Sequence, residues 1–411
     1  MKRIALIVAM LACTIVPSFA AQDRLGSHDF VSVSHGRYLV KAGDCEACHT
    51  VQGGAAFAGG RPVPTPFGII YSDNLTPDRD TGIGTWTGDD FYQAMHNGID
   101  RQGKHLYPAF PYPWFTRLSR SDVHDIKAYL DTLTPVRQVD REPMLPWPIS
   151  NRHAMAAWNA LYFRAGTYAY RDDRSPQWNR GAYLVQGAGH CGACHSDKNI
   201  LGAANHKHPL QGGFAENVYA PNLGQGEEDG LSRWSEQDIV DYLKTGRSRQ
   251  ATAAGPMAEA VEQSTQYLTQ ADLQAIALYL KGVEGPRPDR IAVPDAHVMR
   301  DGAGIYEDEC TGCHMEDGNG ESSVFPALRG NNSVTTSEPD TVIATVLQGA
   351  KLPATKSSPT ALAMPAFAEK LDDAQIAALV TYIRNAWGNR ASAISTSDVS
   401  SLRERLKKSP E

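Results

Sequence analysis

Apolar positions recur with helical spacing in three places along the chain, and the three places look alike. Ile126, Tyr129 and Leu130 fall at i, i+3 and i+4; so do Ile276, Tyr279 and Leu280, and Leu379, Tyr382 and Ile383. Asp122, Asp272 and Asp372 stand near the starts of these helices, where a carboxylate suits the N-terminal dipole. A shorter helical pattern precedes each. Asp90 to His96 stops at Gly98, Asp238 to Lys244 stops at Gly246, and Thr341 to Gln348 stops at Gly349, with glycine in the helix-ending role. Each unit begins with a Gly/Tyr-bearing segment: Gly36-Arg37-Tyr38-Leu39-Val40, Gly181-Ala182-Tyr183-Leu184-Val185 and Gly302-Ala303-Gly304-Ile305-Tyr306. The pattern predicts three copies of one mainly α-helical plan.

Length agrees with this. At roughly 150 residues per domain, 411 residues and 44.7 kDa make between two and three domains. A chain that is 42% hydrophobic and 21% charged is neither disordered nor a polytopic membrane protein. At the N-terminus, Lys2 and Arg3 precede an apolar run from Ile4 to Val16 and the small residues Ser18-Phe19-Ala20-Ala21. That is the three-part pattern of a secretory signal over residues 1–21, too short for a spanning helix of about 20 apolar residues. Its removal takes away one of seven cysteines, Cys13.

The remaining six form three identical motifs: Cys45-Glu46-Ala47-Cys48-His49, Cys191-Gly192-Ala193-Cys194-His195 and Cys310-Thr311-Gly312-Cys313-His314. Cys-x-x-Cys-His is the attachment signature of c-type haem. The two cysteines add to the two vinyl groups, and the adjacent histidine lies under the ring as an iron ligand. Zinc would need a second Cys/His pair at each site, and a redox dithiol leaves the histidine unexplained. The chain is therefore expected to carry three covalently bound haem c groups, with Cys45, Cys48, Cys191, Cys194, Cys310 and Cys313 as attachment points. His49, His195 and His314 are the expected axial ligands. One nucleotide-like string, Gly187 to Gly192, spells G-x-G-x-x-G, but it overlaps a haem motif and opens no βαβ unit.

The plan resembles class I cytochrome c, a small α-helical domain whose terminal helices cross over the haem. In that family a methionine between the middle and last helices supplies the sixth iron ligand. By offset that residue is Met257 in the second copy and Met364 in the third. In the first copy the offset falls on Phe110, which cannot bind iron. His105, His96, Met95 and the more distant Met144 are the alternatives; otherwise the first haem is five-coordinate.

The resemblance extends to a narrower family, the tri-haem cytochrome c subunits of bacterial membrane-associated dehydrogenases. These serve quinoprotein alcohol dehydrogenases and flavin-dependent gluconate, fructose and sorbitol dehydrogenases. Matching stretches include Phe57-Ala58-Gly59-Gly60-Arg61-Pro62, Asn74-Leu75-Thr76-Pro77-Asp78, Ala254-Gly255-Pro256-Met257-Ala258-Glu259, Val324-Phe325-Pro326-Ala327-Leu328 and Thr381-Tyr382-Ile383-Arg384-Asn385-Ala386-Trp387-Gly388. The resemblance implies electron transfer without a substrate-oxidising site in this chain. The partner would be a flavin- or PQQ-dependent catalytic subunit acting on an alcohol, sugar or sugar acid, with a small third subunit. The acceptor would be ubiquinone or a terminal oxidase. Such a protein works in the periplasm, held peripherally at the inner membrane. Two other classes fit the motifs: a stand-alone periplasmic shuttle, and a haem peroxidase using the Met-less first site.

The expected organisation is a signal at 1–21, cytochrome domains at 22–133, 179–283 and 284–390, a linker or strap at 134–178, and a polar, solvated tail at 391–411. Without Lys2 and Arg3 the formal charge falls from −7 to −9, which argues against nucleic acid and for docking on complementary patches.

Overall fold

The computed structural model describes residues 29–215, 218–226, 230–286, 291–321 and 324–408; the expected signal segment lies outside them. Each third of the chain opens with an entry helix: Phe30–Ala42, Pro176–Tyr183 and Ala296–Glu309. Each closes with an exit helix: Arg120–Leu130, Gln270–Leu280 and Asp373–Asn385. Entry and exit helices cross at a glycine. A Cβ on Gly36 would lie 1.8 Å from the carbonyl oxygen of Asp125, one on Gly181 1.9 Å from that of Ala275, and one on Gly302 2.2 Å from that of Ala378. Only glycine lets the two backbones approach this closely.

The middle helices run Gly88–Asn97, Glu236–Thr245 and Asp340–Gln348. Thr87 with Asp90, and Ser235 with Asp238, form reciprocal capping boxes at the first two starts. Gly98 and Gly246 end these two helices at φ 63° and 73°. Asp122 and Asp272 lie in the first turns of their exit helices, whereas Asp372 is itself the N-cap, accepting from the Gln375 amide. Among the described residues, strands pair only as small two-stranded antiparallel sheets, such as Pro62–Thr65 with Gly68–Tyr71 in the register Pro62↔Tyr71.

The first two thirds share one apolar core and the last has its own. A near-twofold exchange of tyrosines joins the first two. The Tyr38 hydroxyl donates to Asp272 Oδ2 (2.5 Å) and accepts from the Thr269 amide (3.2 Å). The Tyr183 hydroxyl donates to Asp122 and accepts from the Ser119 amide (3.0 Å). Arg180 grips Asp272 with two 2.8 Å bonds, and His35 stands at the matching place, 2.9 Å from Asp125. The third entry helix has Gly304 at the tyrosine position, with nothing near it.

Of the expected strap at 134–178, the first part lies over the first domain, residues 168–174 bond to the second entry helix, and 176–178 belong to that helix itself. Met144 exchanges backbone hydrogen bonds with Ile69, and the Asn74 side chain donates to the Val136 carbonyl at 2.8 Å. The segment contains a helix, His153–Tyr162, from which Trp158 Nε1 reaches the Leu201 carbonyl of the second domain at 2.9 Å.

The C-terminal segment differs from the expectation of a solvated tail. Thr396–Lys408 is a helix packed on the third domain's core. Val399 and Leu402 are fully buried, Leu406 packs beside them, and Arg403 donates to Asp373 and to the Ala368 carbonyl. Three apolar residues at i, i+3 and i+7 make a stripe too narrow to advertise a core helix in a Ser-rich, charged stretch, yet wide enough to cover one edge of the exit helix.

Candidate haem sites

Each attachment motif is a single tight helical turn, so its two cysteines lie about one turn apart and its histidine follows at the turn's end. The first cysteine faces inward and the second stays exposed. Burial pushes Cys45 and Cys191 up to about 12 and Cys310 up to about 11, so these sulfurs are protonated thiols in the free chain.

The histidine rings are held identically. His49 Nδ1 lies 2.7 Å from the Asp73 carbonyl, His195 Nδ1 2.7 Å from that of Pro221, and His314 Nδ1 2.9 Å from that of Pro326. A carbonyl can only accept, so Nδ1 carries the proton and Nε2 is left as a lone-pair donor. Burial lowers the proton affinity of all three rings, which favours the neutral form a metal requires. The three acceptors are themselves a repeat: Asp73-Asn74-Leu75, Pro221-Asn222-Leu223 and Pro326-Ala327-Leu328. In two of them the asparagine side chain stabilises the bend by accepting an amide two residues on, from Thr76 at 2.9 Å and from Gly224 at 2.7 Å.

The second and third sites open into one cavity of about 1390 Å³. His195, Met257, Cys191 and Cys194 line it from the second domain, and His314, Met364, Cys310 and Cys313 from the third, among Leu231, Trp234, Leu268, Val346, Phe367 and Leu379. Its rim reaches Cys48 of the first domain. Single small-molecule pockets span roughly 300–1,000 Å³, so the space exceeds one ligand and suits two macrocycles side by side. The donor chemistry fits haem c: two sulfurs, one neutral imidazole and one thioether per pocket, with apolar walls. Met257 sits on the helix Pro256–Gln263, and Met364 pairs with Ala350 in a two-residue strand. Gly349, at φ 76°, makes the turn into that strand, and a Cβ there would lie 2.4 Å from the Met364 carbonyl oxygen.

The first site has the same cysteines and histidine but no matching methionine. Phe110 packs its ring 5.6 Å from that of Phe115 and 6.4 Å from that of Tyr112. Met95 is buried in the shared core. His96 stacks on Tyr92 at 4.8 Å, with Nδ1 3.5 Å from the Thr116 hydroxyl. His105 Nδ1 faces the Asn159 amide at 3.2 Å, and Met144 Sδ accepts from the Tyr71 hydroxyl at 3.3 Å. None of these four lines the cavity shared by the second and third sites.

Sequence comparison supplies the family. The family model described as cytochrome c matches residues 33–134, 179–284 and 299–387, and the chain belongs to that family. Among curated proteins it is 38% identical to the gluconate 2-dehydrogenase cytochrome c subunit of Pantoea cypripedii, over 97% of this chain and 95% of that protein. It is 38% identical to the cytochrome c subunit of alcohol dehydrogenase (quinone) of Gluconacetobacter polyoxogenes, over 92% and 85%. It is 36% identical to the fructose dehydrogenase cytochrome subunit of Gluconobacter japonicus, over 98% and 89%.

Proposed function

We propose that this chain is the tri-haem electron-transfer subunit of an exported dehydrogenase complex. It takes electrons from a catalytic subunit that oxidises an alcohol, sugar or sugar acid and passes them to ubiquinone or a terminal oxidase. The observation that carries this reading is the threefold repetition of one ligand set, each histidine locked by a backbone carbonyl, with two sets facing a common cavity. Near full-length similarity to cytochrome subunits of dehydrogenases supports the partner class.

Bound haem supplies reversible one-electron chemistry. The chain's residues do the rest. Cys45, Cys48, Cys191, Cys194, Cys310 and Cys313 would hold the groups by thioether links. His49, His195 and His314 present Nε2 in a fixed orientation set by their Nδ1 bonds. Met257 and Met364 offer a soft neutral ligand, which raises the potential of the iron they hold. Phe110 makes the first site different: either His105, His96, Met95 or Met144 serves there, a histidine lowering the potential, or the site is five-coordinate.

The leader expected at 1–21 supports a periplasmic location, with attachment to the inner membrane through partners or peripheral contact. Among the described residues no helix is long and apolar enough to cross a membrane. The test is native isolation from membrane extracts. The expected product is a processed chain carrying three haem masses, co-eluting with a dehydrogenase whose alcohol or sugar substrate reduces it. Isolation always as a lone chain overturns the subunit role, and fewer than three covalent haems overturns the ligand assignment.

A further inference from the structure

One side chain ties the first attachment motif to the helix that carries Met257. Arg61 follows two glycines in left-handed conformation, Gly59 at φ 74° and Gly60 at φ 85°. The Gly59 amide donates to the His49 carbonyl at 2.8 Å, and the Arg61 amide to the Ser72 hydroxyl at 3.1 Å, so the arginine's backbone is fixed to the first haem motif. Its guanidinium donates to the Ala47 carbonyl, inside that motif, at 2.5 Å. The same guanidinium grips both carboxylate oxygens of Glu259 in the second domain, Nη2 to Oε2 at 3.0 Å and Nη1 to Oε1.

Glu259 is two residues beyond Met257 on Pro256–Gln263. That helix is short, starts at Gly255 without a side-chain cap, and contributes Ala258 and Val261 to a minor core completed by Ala253, with Tyr242 partly buried against it. Apolar burial alone fixes it weakly, so its polar tethers decide where it sits. Besides Glu259 they are Glu262, which accepts the Ala354 amide of the third domain at 2.5 Å, and Ser264, which donates to the Ala42 carbonyl of the first at 3.2 Å. The middle domain's methionine helix is thus held by its two neighbours, and the charged, two-pronged tether is the one from Arg61.

We infer that Arg61 is a positioning residue for the middle haem: anchored on the first domain's attachment turn, it sets the placement of Met257 through Glu259. The inference rests on reading Met257 as an iron ligand. Domain contact and ligand field are then one device, because any movement of the first attachment turn is felt at the methionine of the second.

The test uses the full-length holoprotein in the ferrous state, where the ε-methyl of a ligating methionine gives a proton resonance shifted far upfield. Met257→Leu and Met364→Leu each remove one such resonance and so assign the two. Arg61→Gln is expected to broaden or move the Met257 resonance while leaving that of Met364 unchanged. It also lowers the middle haem's midpoint potential and raises imidazole uptake there roughly fivefold, the size of effect a half-exposed ion pair sustains. Glu259→Gln should do the same, and the double variant should add nothing further. If Met257→Leu removes a resonance while Arg61→Gln and Glu259→Gln both match the wild type, the positioning role is overturned and the ligand assignment stands. If Met257→Leu removes none, the ligand assignment itself fails, and the inference with it. Equal loss at all three haems in Arg61→Gln would show a general folding role and overturn the inference.

Discussion

Two glycines on one helix should respond to alanine with opposite sign. Gly302 and Gly304 both lie within Ala296–Glu309, so alanine gains the same helix propensity at each, about 1 kcal/mol. At Gly304 nothing stands within 4 Å of the added carbon, and that gain should be kept. At Gly302 the new Cβ would meet the Ala378 carbonyl oxygen at 2.2 Å and Tyr382 Cβ at 2.7 Å. Ordinary contact begins at 3.4 Å, so the exit helix must retreat by more than an ångström. The obstacle is backbone, which no rotamer change can relieve. Overpacking of this kind costs about 1–3 kcal/mol, and a backbone clash belongs at the upper end, so the net loss is about 2 kcal/mol. For a domain of this size that is a fall of roughly 10 °C in Tm, against a rise of about 5 °C for Gly304→Ala. Thermal unfolding of the holoprotein, followed by circular dichroism in the Soret band and in the far ultraviolet, measures both. Because the third domain has a core of its own, the shift should fall on one component of the melt rather than on the whole. Equal shifts for the two variants would refute the crossing geometry.

The C-terminal helix should be structural: Leu402→Ala deletes a fully buried side chain and is expected to cost about 2–5 kcal/mol, read as a lower denaturant midpoint for the third domain. Asp44, at φ 51° and with Oδ1 unpartnered, is a buried carboxyl whose proton affinity burial raises well above the usual range. The folded chain therefore holds this proton more tightly than the unfolded one, and stability falls as pH climbs from the ordinary carboxylate range through the raised value. Asp44→Asn, which cannot ionise and tolerates that backbone, should be more stable than the wild type by an amount that grows with pH and levels off; a constant difference across pH 4–8 in urea melts would contradict this. Phe110→Met should shift one haem of three toward a higher-potential, methionine-ligated form in a redox titration, and an unchanged titration would mean that position 110 does not face the iron.

The repeat was legible in the sequence because its signals are local: a Cys-x-x-Cys-His turn, a helix with apolar residues at i, i+3 and i+4, a glycine that stops a helix. The histidine-locking carbonyls were less so, although Asp73-Asn74-Leu75, Pro221-Asn222-Leu223 and Pro326-Ala327-Leu328 line up once each is placed after its motif. A backbone acceptor leaves little mark on residue type, and aspartate does as well as proline there. The pairing of the first two domains was illegible, since Tyr38 and Tyr183 look like two copies of a core residue when in fact each reaches into the other domain. Their meaning appears only by contrast with Gly304, where the third copy has no partner to meet. The same holds for Arg61 and Glu259, far apart in sequence and joined only by the fold. What distinguishes the three sites from one another is therefore written mainly in contacts between domains. Three identical attachment motifs sit in three different surroundings because each copy has different neighbours, and the first is set apart in addition by Phe110.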